Sequence, residues 1–600
     1  MSSHIRALAA RLGELDETQL ISLLSRRAAP PAARWTDSFD AAEWLLDAPA
    51  IAQALAQLER PQLEALARAA AGGDPVAAGH PAHDALIALA LIDEQGVPYG
   101  PVADEVTAWS DGDERHELVE AGVPGPDAAA ERAFTSVAAL GDILVETMVL
   151  PLTRIGSGIV GAHDRRRLAE DAVPHASDID ALISLAVSAE LLTLVDRHWL
   201  VTQRGSLWLR QPTLERWVVV AQAWRSALPA GIHSEPDAHT WLGAYPADAS
   251  WPARAAALRA EAEAWGLVTG DGPETEWAAL LRGDTTDAAE EGASPAERAA
   301  ASLGTLLPSE VETVYLQNDL TAIAPGPLAP ALDLRLRTMA RRESHAQAST
   351  YRFTAETIAG AVTDGESAGS ILAFLEGLSR TGIPQPLDYL IASASGRHGM
   401  IRVQSLGAPA HAANSHASQT LVTSDEPALL DTMLVDQSLQ ALALTRSDLG
   451  VESRASRDVV YWSLIDARYP AAALDSAGVA EPLHRHRIAA DPAPVRPAAD
   501  VYGALAAALH TGPASEGDAA WLARDLEVAV RGRETVTLIV ALPGGESREF
   551  TMELTGIGGK AESSAPNSDS DDAEPKVKRS TTVEVNGKRF DVNMWVPETP

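Results

Sequence analysis

Apolar residues recur at helical spacing through the first 130 residues. Leu15, Leu20, Leu23 and Leu24 form one stripe and Leu58, Leu63 and Leu66 another, with Pro, Gly and Asp between them. This periodicity predicts a run of short helices and no strands. The string L-[D/E]-x-x-Q-L-x-x-L occurs at Leu15 and again at Leu58. Two copies this short read as shared helix-start grammar, an acidic first turn followed by an apolar stripe, before they read as a structural repeat. From Leu140 the pattern changes to three helices and a hairpin. Ser177 is placed to cap a helix, with Asp180 three residues on and Ile179, Leu182, Ile183, Ala186 and Leu191 along one face. Leu192 to Val195 and Trp199 to Thr202 are β-like stretches joined by Asp196, Arg197 and His198, which predicts a short hairpin. Helices followed by such a hairpin make a winged helix. Leu214, Trp217, Ala221 and Trp224 mark a further helical face, and Trp241, Trp251, Trp265 and Trp277 are expected to anchor a core between short helices.

Strand and helix patterns alternate from 306 to about 470. Val311 to Ala324 looks extended, Leu328 to Ala340 helical, Tyr351 to Phe353 extended and Ser367 to Leu378 helical. Thr535 to Leu542 and Arg548 to Leu554 flank Pro543, Gly544 and Gly545 as a hairpin, and Thr581 to Val596 forms another around Asn586 and Gly587. Ser563 to Pro575 has no apolar periodicity and is expected to lack structure. The expected fold class is α+β multidomain. Its parts are a helical N-terminal region (1–135), a winged-helix-like domain (136–230), an acidic Trp-rich helical connector (231–305), a mixed α+β domain (306–480), a small β module (500–560), a disordered linker (561–580) and a β-like tail (581–600).

Length agrees with several domains, since 600 residues exceed what one core usually supports. No apolar run approaches the roughly 18 residues of a membrane span, and the start lacks the apolar stretch of a signal peptide, so a cytoplasmic protein is expected, nucleoid-associated if it meets DNA. With no cysteine, thiolate metal sites, disulfides and cysteine nucleophiles are excluded. Charge changes the picture more. With 47 basic against 83 acidic residues the chain carries −36, a field that repels phosphate, so any contact with DNA must be local. The only lysines are Lys560, Lys576, Lys578 and Lys588, so arginine is the sole strong base of the first 559 residues.

Several motifs suggest chemistry without supporting it. Gly156, Gly158 and Gly161 spell G-x-G-x-x-G after an apolar stretch, but Pro151 breaks a central strand and no second strand follows, so a turn is expected in place of a dinucleotide site. Gly365 to Gly369 spell G-x-S-x-G, yet a helix, Thr354 to Thr363, stands where a nucleophile elbow needs a strand. Ser367 is therefore expected as a helix cap. Gly559 and Lys560 lack the rest of a Walker A loop, and the pairs His484/His486 and His411/His416 lack metal-ligand spacing. No catalytic, cofactor or metal residue is expected.

The winged-helix segment departs from the acidic rule. From Pro151 to Arg225 there are nine arginines against eight acidic residues. Arg165, Arg166 and Arg167 cluster at a helix start, and Arg197, Arg204 and Arg210 lie on or just after the wing, all candidates for phosphate contact. Arg397 and Arg402 form a second candidate set. The presumed recognition helix instead carries Asp178, Asp180 and Glu190 and no base, which argues against base reading.

Val314 to Val403 carries Gln317, Asp319, Leu320, Pro325, Gly326 and Pro327 after a first strand, a Tyr351-to-Thr354 strand opening a helix, the Ile371-to-Leu378 helix, Pro384, and a Gly396-Arg397-His398-Gly399 turn before Arg402. With these pieces the chain resembles the helicase-associated domain at the N-terminus of XPB-type DNA repair helicases, in the stand-alone form of actinobacteria. The resemblance implies a role in sensing distorted DNA. Only about 130 residues follow Pro470, too few for two motor lobes, and no D-E-x-H box is present, so a protein without enzymatic activity is expected. Residues 520–560 resemble the first strands of a WYL-type β-barrel. The final segment is loosely similar to strands preceding a biotinyl domain, without the biotin-accepting Met-Lys-Met. Two functions stay open on the sequence: a DNA-associated factor that engages the DNA backbone or a forked junction beside a separate helicase, or a scaffold that docks a basic protein partner without binding DNA.

Overall fold

The computed structural model describes residues 2–108, 125–156, 158–170, 179–270, 272–283, 293–345, 348–406, 418–481, 483, 487–511, 535–541, 547–553, 576–585 and 588–597. The protein is mixed α+β and divides into two compact units. One comprises residues 1–116, 243–251 and 494–600, the other 117–242 and 252–493.

In the first unit the expected short helices are present: Ser2–Glu14, Glu17–Arg26, Ser38–Leu45, Ala48–Leu55, Arg60–Ala70, His83–Ala88 and Gly100–Ala108. Their stripes meet in one core that contains Leu20, Leu24, Leu58, Leu63 and Leu66. Both copies of the repeated string do the same local job. Asp16 N–H donates to Gln19 Oε1 at 3.0 Å and Glu59 N–H to Gln62 Oε1 at 3.1 Å, so each glutamine closes the backbone at its helix start. Arg27 lies inside this core and donates to the carbonyl oxygens of Leu89 (2.8 Å), Leu45 (2.5 Å) and Ala50 (3.1 Å). Burial lowers its pKa to about 10. The helix Ala498–Thr511 completes the core through Leu505, Ala506 and Leu509, so the start of the span expected as a β module is helical.

Two hairpins follow, Thr535–Ala541 with Ser547–Glu553 and Lys576–Val585 with Lys588–Pro597, both antiparallel. The second begins at Lys576, inside the stretch expected to be disordered. Alternating Val577, Arg579, Thr581 and Val583 carry a period-two pattern back to that point. Residues 561–575 lie outside the described residues, as do the turns at Pro543 to Gly545 and at Asn586 and Gly587.

The second unit opens with the long helix Pro126–Val149, the strand Leu152–Thr153, and the helices Ala162–Glu170 and Ile179–Ser188. The strands Leu192–Val195 and His198–Thr202 then form an antiparallel hairpin, and Leu152–Thr153 pairs with the second of these. His198 belongs to the strand, not to the turn. Ile179, Leu182, Ile183 and Ala186 are buried as their spacing predicts; Ser177 lies outside the described residues. Trp217 sits in the helix Thr213–Ser226 and exchanges hydrogen bonds with Trp265, each indole N–H donating to the other's carbonyl at 2.9 and 3.1 Å. Trp277 donates to Gly266 O at 2.8 Å. Large apolar rings with their single polar atom satisfied make these tryptophans the anchors of this core.

Residues 306–480 hold two cores where one domain is expected. The first contains Val314, Tyr351, Phe353, Ile371 and Leu375 and packs a four-stranded antiparallel sheet, Tyr315–Leu316, Thr321–Ile323, Ser349–Arg352 and Arg341–His345, on four helices. The second, with Ile401, Val403, Val422 and Tyr461, surrounds a five-stranded sheet whose last strand, Ala471–Leu474, runs parallel to Ile401–Ser405.

Candidate nucleic-acid interface

The structure sorts the eight candidate arginines by what they touch. Arg165 donates through Nε to Val160 O at 3.1 Å and pairs through its terminal nitrogen with Asp180 at the start of the Ile179–Ser188 helix. Arg167 donates to Leu150 O at 2.9 Å and lies 3.5 Å from Asp164 and 3.9 Å from Glu146. Asp164 in turn accepts from Thr153 N–H at 2.8 Å. These two arginines tie the Ala162–Glu170 helix to the long helix and to the Ile179–Ser188 helix, and Asp164 ties it to the strand. Arg204 pairs with Glu190 at 2.6 Å, and Arg210 donates to Ser206 O at 2.9 Å. Arg166 and Arg197 are exposed, and neither has a side-chain partner among the described residues.

In the second set, Arg397 is exposed and donates to Ser393 Oγ at 3.2 Å, while Arg402 pairs with Asp425. His398 beside them is partly buried, which pushes its imidazole pKa down.

Arg165 and Arg204 therefore neutralise Asp180 and Glu190, two of the three carboxylates that oppose DNA near the presumed recognition helix. Asp178, the third, lies outside the described residues. The helix carries no Arg, Lys, Asn or Gln, the side chains that make bidentate contacts to base edges, and its Ser184 is hydrogen-bonded to the buried Glu261, whose carboxyl pKa burial raises. Base reading by this helix is unsupported by its surface as well as by its sequence.

One further arginine escapes sequence reasoning. Arg154 is exposed, has no side-chain partner among the described residues, and donates its backbone N–H to Arg197 O at 2.8 Å, which sets it beside the wing turn. The signal lies in the G-x-G-x-x-G string. Ile155 N–H donates to Ile159 O at 3.0 Å and Gly158 N–H to Ile155 O at 2.9 Å, with Gly158 at φ +92°, so the string makes a tight reversal next to the hairpin. The wing turn is equally defined, with Asp196 at φ +47° and Arg197 at φ +68°, the two left-handed residues of a two-residue hairpin loop. Ser367, by contrast, is the expected cap: its Oγ accepts from Ser370 N–H at 3.1 Å and the helix Ala355–Thr363 precedes it. The pairs His411/His416 and His484/His486 lie outside the described residues, and among the described residues no group of His, Asp and Glu could hold a metal ion. No described helix is long and apolar enough to cross a membrane.

A second cluster in this unit has no local sequence signal. Asp142, in the long helix, pairs with Arg337 at 2.7 Å and with Arg342. Asp333 lies 3.7 Å from each of the same arginines and accepts a 2.5 Å hydrogen bond from Tyr351 OH. Desolvation acts to lower the pKa of Arg337, but Asp142 and Asp333 outweigh it and the net shift is upward. Burial and then Asp333 push the Tyr351 phenol up. Partners 195 and 200 positions apart tie the hairpin-bearing segment to the first sheet of residues 306–480.

Residues 314–448 match the model of the helicase conserved C-terminal domain, a span that covers the first core entirely and stops inside the second sheet. No curated protein matches the chain. The family match supports a helicase-associated protein with a helicase-related role, and it is drawn to a C-terminal helicase domain where the sequence resemblance names an N-terminal one. It also overturns the expectation of a protein without enzymatic activity, because the matched domain is that of helicases, which are as a rule enzymes.

Proposed function

We propose that this helicase-related protein binds DNA through its sugar-phosphate backbone, using a winged helix over residues 126–226 that precedes an XPB-type region. The observation that carries the reading is the division of labour among the arginines. Arg165 and Arg204 cancel nearby carboxylates, and Arg154, Arg166 and Arg197 are left exposed without partners among the described residues. In a chain of net charge −36 such exposed arginines are where phosphate would be tolerated. The bare helix surface supports sequence-independent contact.

Fluorescence anisotropy with duplex DNA across a salt series tests this. Arg166→Ala with Arg197→Ala should weaken binding about tenfold on every sequence and reduce the salt slope by about two, one for each lost phosphate contact. An unchanged affinity and slope would refute the reading. A complex with a basic protein that survives nuclease treatment, in a preparation that does not bind DNA, would favour the scaffold instead.

A further inference from the structure

One stripe of the long helix Pro126–Val149 lines a cavity of about 580 Å³. Glu131, Phe134, Ala138, Gly141 and Val145 recur there at three- and four-residue spacing, the period of a single helix face. Leu209, Leu306, Leu328 and Leu334, from other segments of the same unit, supply much of the remaining lining. The volume and the mixed lining are those of a site for a small organic molecule.

Arg216 also lines this cavity and is only 8% exposed. Its Nε donates to Trp208 O at 3.1 Å, one terminal nitrogen donates to Leu209 O, and the guanidinium lies over the Trp208 ring. The other terminal nitrogen, Nη1, has no partner among the described residues and faces Gly141. A β-carbon at position 141 would stand 3.4 Å from it, so this glycine, a poor helix former in the middle of a helix, leaves the nitrogen uncovered. A buried charged donor without an acceptor is costly, and an anion in the cavity would supply one. Burial lowers the Arg216 pKa to about 10, so the group is still a cation at neutral pH.

The surrounding charge narrows the kind of anion. Asp142 and Asp333 are matched by Arg337 and Arg342, and Glu310 accepts from Thr213 N–H at 2.7 Å. All three carboxylates act on Arg216, and the exposed Glu131 lies about 15 Å along the helix from Gly141. A single donor group among carboxylates suits a singly charged carboxylate and disfavours a phosphate dianion.

We propose that this cavity binds a small monocarboxylate with an apolar body, its carboxylate on Arg216 Nη1 and its hydrocarbon part along Phe134, Val145, Leu328 and Leu334. None of Arg154, Arg166 and Arg197 lines the cavity, so binding there does not require DNA.

Isothermal titration of the full-length protein with 2-naphthoate and with its neutral counterpart 2-naphthamide tests this. The acid should bind one-to-one and about tenfold more tightly than the amide. Decanoate should displace it, whereas inorganic phosphate at the same concentration should not. Arg216→Gln, which keeps donors for the two carbonyl oxygens, should lower 2-naphthoate affinity about tenfold and change 2-naphthamide affinity less than twofold, a split that a merely structural role would not give. Ala138→Trp, at an exposed position of the lining stripe, should fill the cavity and abolish binding of both compounds, and it keeps the test intact if Arg216→Gln fails to fold. The proposal is overturned by no binding of 2-naphthoate at millimolar concentration, by equal affinity for acid and amide, by displacement with phosphate, or by 2-naphthoate binding that either folded variant retains.

Discussion

Beneath the long helix Pro126–Val149, Arg337 and Arg342 share Asp142 and Asp333 with their side chains 16% and 13% exposed. At the hairpin tip some residues away, Arg154 and Arg197 stand in solvent with no carboxylate within pairing distance among the described residues. The residue type is the same and the consequence is opposite. A guanidinium taken out of water has to be compensated in place, and its partner becomes part of the fold. One left in water costs nothing to keep and is free to meet an anion from outside. The difference teaches that arginine content alone does not map an interface. Of the eight candidates read from the sequence, Arg165, Arg167, Arg204 and Arg402 are engaged by the protein's own carboxylates.

The sharpest way to break this comparison is to remove the buried acid. Asp142→Ala removes the acid closest to Arg337 and Arg342, leaving Asp333 at 3.7 Å from each, and should destabilise the unit by about 3–5 kcal/mol, the usual effect of stripping one partner from a buried ionic group. The urea midpoint of the transition that reports on this unit measures it. A shift worth less than about 1 kcal/mol would mean that the cluster is hydrated and that burial does not separate the two regions.

A smaller effect sharpens the other side. If pairing is what withholds Arg204 from DNA, then Glu190→Gln should release it and tighten duplex binding by roughly threefold at low salt, with the gain fading as salt rises. The pair is 54% and 45% exposed, so folding stability should hardly change. Unaltered or weaker binding in this variant would show that Arg204 faces away from the nucleic acid.

These two experiments also mark what the sequence could and could not tell. Local signals were legible because local physics produces them. The repeated L-[D/E]-x-x-Q-L string is a cap, Ser367 is a cap, and Leu192 to Thr202 is a hairpin, each within a dozen residues of its cause. The cluster around Asp142 was not legible, since its partners are 195 and 200 residues away and nothing in their spacing links them. The start of the tail strand was missed for another reason. Lys576, Lys578 and Arg579 look like a solvated charge run until the alternating Val577 and Thr581 are set against the pairing register with Val596 and Val592. Arg154 was missed because its significance depends on its backbone bond to Arg197 in the wing turn, which the turn expected at the glycine motif does not announce.

Between the buried and the free arginines lies an intermediate case, and it predicts the smallest effect. Arg335 grips Glu366 with two hydrogen bonds, Nε to Oε1 at 3.0 Å and a terminal nitrogen to Oε2 at 3.1 Å, while Ser370 Oγ also donates to that carboxylate. Desolvation acts to raise the carboxyl pKa, but Arg335 and Ser370 together outweigh it and the folded value is depressed. A depressed carboxyl stabilises the fold above its unfolded pKa of about 4.3, and that contribution is lost as pH falls through the folded value. Glu366→Gln should therefore be less stable than the parent at pH 7 by under about 1 kcal/mol, because Arg335 is 43% exposed and solvent screens the pair. The gap should close as the pH is taken below 4, since the parent then loses what the variant never had. Urea unfolding of both proteins at pH 7 and pH 3 measures this. A gap of equal size at the two pH values would assign the loss to contacts that do not depend on the charge of the carboxyl, and charge pairing at half-exposed sites of this protein would then contribute little to folding.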